Sequence, residues 1–93
     1  MRILDLGCGR GYLTFPIAEG NPDCEVTGLD IVSDAIDANR SRAREAELDN
    51  LTFVNYDGID FPFEAGTFDL VETDTELHIT ERVNNILFIK VEA

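Results

Sequence analysis

The sequence predicts an α/β fold, a parallel sheet flanked by helices, on three observations. Strand-like and helix-like runs alternate, a pattern that implies βαβ units joined by right-handed crossovers. The first strand, in "MRILDL", runs straight into the glycine-rich turn "GCGRG". The second and third, in "CEVTGLD" and "LTFVNYD", each close on an aspartate, Asp30 and Asp57. Bare backbone and two carboxylates are thereby delivered to one edge of the sheet, where α/β folds bind ligands.

Each element has a local reason. Residues 12–19 read as a short helix; Pro16 falls in its first turn, where an amide would lack a partner anyway, and Gly20 and Pro22 end it. Ser33 reads as the N-cap of a second helix over 34–47, with Asp34 favourably placed in the first turn. Ile36, Ala43 and Ala46 form a thin apolar stripe, so this helix is expected to cover an edge of the sheet. The loop "GIDFPFEAGT" carries little helix signal before a fourth strand, "FDLVETD". "TELHITERV" reads as a short helix, and "ILFIKVEA" as a fifth strand.

The 93 residues bound one domain, 1–93, with no repeat or linker. Nineteen acidic residues against seven basic ones give a net charge of −12, and Lys90 is the only lysine. Such a charge repels phosphate backbones and disfavours nucleic acid as a partner. It reads either as a soluble acidic surface or as adaptation to high salt. Cys8 and Cys24 show no metal or redox spacing. With no leader visible and no apolar run of membrane-spanning length, a cytoplasmic location is expected.

The glycine turn excludes two ligand classes. Dinucleotide sites run G-x-G-x-x-G, whereas here Gly7, Gly9 and Gly11 run G-x-G-x-G and Tyr12 takes the third glycine's place. No Gly-Lys-Ser/Thr follows, so it is not a P-loop either. By itself the triplet fits a ligand site or a structural turn equally well. Asp30, nineteen residues after Gly11, stands where a carboxylate can accept both hydroxyl hydrogens of a ribose; Asp30 and Asp57 read alternatively as caps of a turn or helix.

"ILDLGCGRGYLT", "VTGLDIV", "NYDGIDFPFEAGTFDLV" and "TELHIT" resemble, in order and spacing, the motifs of class I S-adenosylmethionine-dependent methyltransferases, nearest their small-molecule branch. The resemblance runs from Ile3 to about Thr80. It implies a Rossmann-like parallel sheet with helices on both faces, in a minimal five-stranded version of order 3-2-1-4-5 that lacks the family's last two strands. It also implies that Asp5 and the backbone of Gly7, Cys8, Gly9 and Gly11 hold the methionine end of S-adenosylmethionine. Asp30 would take the ribose and Ile31 the adenine face. Asp57 would accept from the adenine amino group, with Gly58 or Ile59 donating to a ring nitrogen. Thr73, or the Glu72 backbone, would lie beneath the sulfonium.

The sequence departs from that family pattern in three ways. The first strand starts at Arg2 without the usual preceding helices. "ERVNNILFIKVEA" goes almost directly to the fifth strand, with Asn84 and Asn85 standing in for a longer turn. The expected sheet also stops after its fifth strand, which predicts an apolar edge at 86–91 and a homodimer or swapped dimer between Ile86 and Val91. Methyl transfer relies mainly on positioning and desolvation. His78 reads as a base for an acceptor hydroxyl or as a polar residue on a short helix; Glu72, Asp74 and Glu76 read as a cationic-acceptor site or a solvated loop. Two functions follow, a small-molecule methyltransferase and a catalytically idle cofactor-binding or interaction module.

Overall fold

Side chains alternate across each strand, and that alternation sorts the apolar residues into two layers. The computed structural model describes residues 1–73, 82–83 and 86–90. β1 (Arg2–Leu6), β2 (Glu25–Asp30), β3 (Leu51–Asn55) and β4 (Leu70–Thr73) are parallel neighbours in the order 3-2-1-4. A two-residue strand, β5 (Arg82–Val83), lies at the far edge, antiparallel to β6 (Ile86–Lys90), and β6 runs parallel to β4. β6 is the expected fifth strand in its expected place.

Two expectations are corrected at that edge. Arg82 and Val83 are strand where a helix was expected, and they pair with Leu87 and Ile86, so the edge strand is not bare on its outer side. The rest of the expected helix, residues 75–81, lies outside the described residues, as do Asn84 and Asn85.

On one face Ile3, Val26 and Leu51 stand in register. They pack with Phe53, with Phe15 and Ala18 of α1 (Thr14–Gly20), and with Ile36 and Ala43 of α2 (Ser33–Glu45). The opposite face carries Leu4, Leu29 and Val71 under Phe68. There Phe63 meets Phe61 and Phe68 edge-on, with ring centroids 5.6 and 4.9 Å apart. Both described helices therefore share one face, and an aromatic loop between β3 and β4 covers the other.

α2 covers β2 and the edge strand β3, as its thin stripe predicts. Its boundaries differ in detail. Ser33 is its first residue rather than its cap; extended Val32 takes the cap position without a side-chain bond, because the Asp30 carboxylate already turns the chain there. Ala46 is exposed, and the third buried position of the stripe is Asn39. Arg42 lays its guanidinium 3.9 Å from the centre of the Phe15 ring. Arg40 donates through Nε to the Phe53 carbonyl, 3.1 Å away on the open side of β3.

Where α1, β2 and β3 crowd together, β2 has no room for a side chain. A Cβ at Gly28 would lie 2.7 Å from the Phe53 ring and 3.0 Å from Cys8 Sγ, both buried. Gly28→Ala forces that layer to shift and is expected to lower the thermal midpoint by more than about 4 °C, as overpacking does. A thermal melt followed by circular dichroism checks it; an unchanged midpoint would mean the Phe53 layer yields freely.

Candidate functional site

The carboxyl ends of β1, β2 and β3 are tied into one edge by backbone bonds. The chain leaving β1 folds over β2: the Gly7 and Cys8 amides both donate to the Leu29 carbonyl, at 2.7 and 3.1 Å. The Gly9 amide donates to Asp30 Oδ2 at 2.8 Å, while Asp30 Oδ1 accepts the Val32 amide at 2.9 Å. On the other side the Tyr56 amide and Asn55 Nδ2 donate to the Asp30 carbonyl, at 3.2 and 3.0 Å. Asp57 then bends the next loop, its Oδ1 accepting the Asp60 and Ile59 amides at 2.8 Å each. Those two bonds hold the Asp57 carboxyl below its ordinary value.

The residues singled out from the sequence fall into three environments. Gly7 and Gly9 have positive φ, 74° and 53°, and nothing lies within 4 Å of where a side chain would begin, so their backbone is open to a ligand. Ile31 and Ile59 project into solvent, and Gly58 lies close to Ile31: a Cβ there would be 3.1 Å from Ile31 Cγ2. The ends of β2 and β3 thus supply adjacent apolar side chains beside two carboxylates. The Ile59 amide is already used by Asp57, which leaves the Gly58 amide as the donor of that pair not committed to Asp57.

Asp5 and Cys8 are different. Asp5 is 1% exposed, beneath the turn, and its Oδ2 accepts the Thr14 hydroxyl at 2.6 Å. Cys8 is buried between the turn and Gly28. Burial, then the charges of Asp5 and Asp30, push its thiol up to about 12, so it is not a nucleophile at neutral pH. Thr73 ends β4 half-buried, in register with Leu6 of β1. Tyr12 is 81% exposed, and Arg42 holds the ring face of Phe15. His78, Asp74 and Glu76 lie outside the described residues.

Two polar residues were not picked out as site residues, Thr14 and Asn39; Glu72, read as part of a cationic-acceptor site or a solvated loop, is part-buried within β4. The signal for Asn39 was its place on the inner stripe of α2. Glu72 sits in β4 opposite Asp5, on the helix-covered face, and its Oε2 has no hydrogen-bond partner among the described residues. Burial raises its pKa.

That shift fixes a sign. A carboxyl with a raised folded-state pKa favours folding while protonated, so its contribution is complete below the unfolded value and is lost as pH rises through the folded one. Glu72→Gln removes this dependence. The midpoint of the variant relative to the parent is expected to be higher at pH 7 than at pH 4. Melts across that range check it, and a difference constant with pH would contradict it.

An edge of bare backbone and two carboxylates, at the carboxyl ends of parallel strands, marks a Rossmann-like fold whose ligand edge repels phosphate rather than binding it. The comparisons make the class specific. A family model described as a methyltransferase domain matches residues 1–89. Aklanonic acid methyltransferase DauC of Streptomyces sp. (strain C5) is 43% identical over 72 residues, 75% of this chain and 32% of that protein. Nocamycin O-methyltransferase of Saccharothrix syringae is 41% identical over 70 residues, 74% of this chain and 25% of that protein.

Among solved structures, coclaurine N-methyltransferase bound to N-methylheliamine and S-adenosylhomocysteine superposes with a TM-score of 0.73 at 26% identity, covering 81% of this chain and 22% of that one. The [4+2]-cyclase SpnF superposes with a TM-score of 0.70 at 28% identity, covering 76% and 26%. The chain belongs to the class I S-adenosylmethionine-dependent methyltransferase family. It spans between a quarter and a third of the length of these two curated relatives.

Proposed function

We propose that this chain is the cofactor-binding part of a methyltransferase that acts on a small-molecule acceptor, with S-adenosylmethionine as methyl donor and S-adenosylhomocysteine as product. The observation that carries the reading is Asp30, held at the end of β2 between the open Gly9 backbone and the exposed Ile31. The residues fit the cofactor's chemistry. It has a ribose diol, an adenine and a sulfonium but no phosphate, and this edge presents carboxylates, apolar side chains and bare backbone.

In this reading the Gly7, Cys8, Gly9 and Gly11 backbone takes the methionine end, with Asp5 beneath it, tied to Thr14. Asp30 accepts from the ribose hydroxyls while keeping its own backbone bonds, since each carboxylate oxygen has a second lone pair. Ile31 packs on the adenine, Asp57 accepts from its amino group, and Gly58 donates to the ring. Ile59 adds apolar cover, and its amide, expected as a second donor, is committed to Asp57. Thr73 lies under the sulfonium. When bound, the cofactor supplies an electrophilic methyl group. The chain's part is to orient it and keep water from it, for which no general base is obligatory. His78 stays the weak candidate for a base. Acceptor chemistry of the kind named in the two curated relatives, and a cytoplasmic location, go with this reading.

The second reading is a fold that keeps the pocket without methyl transfer, acting as a binding or interaction module. A solved neighbour described as a [4+2]-cyclase favours it, because methyl transfer does not follow from the fold alone. Turnover with an acceptor distinguishes the two readings.

Calorimetric titration with S-adenosylhomocysteine tests the cofactor assignment. Asp30→Ala is expected to weaken binding at least about tenfold, the usual cost of losing hydrogen bonds to a charged group. Asp37→Ala, on the exposed side of α2, is expected to stay within about twofold, as surface charges do. Equal affinities for the parent and Asp30→Ala would remove Asp30 from the site.

A homodimer through the 86–91 edge belongs to the same proposal. β5 pairs only with Ile86 and Leu87, so the outer side of β6 beyond them has no partner among the described residues. A dimer mass is expected in light scattering at high micromolar concentration; a strictly monomeric mass would argue against it.

A further inference from the structure

Asn39 is a polar residue where the stripe of α2 calls for an apolar one. It is 3% exposed, between Ile36 and Ala43 on the buried face. A buried amide is costly unless bonded. Its Nδ2 donates to the Gly9 carbonyl at 2.7 Å, and the Gly9 amide donates to Asp30 Oδ2 at 2.8 Å. Both polar groups of Gly9 are therefore held, one from α2 and one from β2. Gly9 sits at φ 53° with no side chain to fix it and open space beside it. These two bonds, with the Gly11 amide donating to the Cys8 carbonyl at 2.9 Å across the turn, fix the peptide planes that flank it.

We propose that Asn39 is a positioning residue for cofactor binding: it holds the Gly9 turn in the shape that receives the amino-acid end of the cofactor, and so meets the ordering cost on folding rather than on binding. The proposal rests on the S-adenosylmethionine reading. It makes a statement about which half of the ligand depends on Asn39. In that reading the nucleoside half is held by Asp30, Ile31 and Asp57, whereas the Asn39 side chain meets the site at the Gly9 carbonyl. The amino-acid half faces the turn itself.

The test is calorimetry with two ligands, S-adenosylhomocysteine and 5′-methylthioadenosine, the second lacking the amino-acid end. Asn39→Ala removes the donor; Asn39→Leu removes it with the side chain's size and shape kept, and suits the apolar stripe if the smaller residue fails to fold. Each variant is expected to bind S-adenosylhomocysteine about tenfold more weakly, the loss of one buried hydrogen bond, and 5′-methylthioadenosine within about twofold. Unchanged affinity for both ligands would overturn the proposal. Equal weakening of both would also overturn it, leaving Asn39 with a purely structural role. Failure of the parent protein to bind S-adenosylhomocysteine would instead strike the cofactor reading, and this inference with it.

Discussion

Asp30 is the junction on which the candidate site depends. Its carboxylate takes the Gly9 amide from the turn after β1 and the Val32 amide at the start of α2. Its carbonyl takes Tyr56 and Asn55 from the end of β3. A parallel sheet has no hairpins to align the ends of its strands, so their alignment must come from bonds of this kind. One residue at the end of the middle strand, through its carboxylate and its carbonyl, performs it for three strands and a helix. The proposed ribose contact falls on the same group, so in that reading the framework and the ligand contact share one residue.

The layers around that junction are unequal. Two helices, Phe15, Phe53 and the crowded Gly28 make the face beneath the turn rigid. The other face is closed by three phenylalanines on a loop without regular structure. Polar groups on the rigid face are bonded inward: Asp5 to Thr14, Asn39 to Gly9. Glu72 is the exception among them, and its raised pKa is the electrostatic cost of a carboxyl placed under cover. The polar groups at the rim, Asp57 among them, bond to neighbouring backbone and stay solvated.

Much of this was legible in the sequence because it follows from short-range rules. Runs of strand formers located the parallel strands, and a glycine triplet followed by aspartates at two strand ends marked the edge at which the cofactor is proposed to bind. What was not legible depends on contacts between elements. Ser33 looks like a helix cap until the Asp30 carboxylate is seen to turn the chain first. Asn39 looks like a defect in an apolar stripe until Gly9 is brought above it by the fold of β1 onto β2. The two-residue strand at Arg82 and Val83 is too short to carry any periodicity; only β6 beside it gives it a place. Cys8 is silent for a related reason, since its inertness comes first from burial, against β2 at Gly28, and then from the charges of Asp5 and Asp30.

The hydrogen bond from Arg40 to the Phe53 carbonyl has a consequence for how such a sheet is enlarged. β3 is the last strand on its side, and its open flank would otherwise offer a row of acceptors and donors to any passing extended segment. The guanidinium fills the middle of that row, and a charged side chain laid across a strand is an obstacle to further pairing. On the opposite side a two-residue strand pairs with only the start of β6. The two flanks thus differ in kind: a guanidinium lies across the outer side of β3, whereas the outer side of β6 beyond Leu87 has no partner among the described residues.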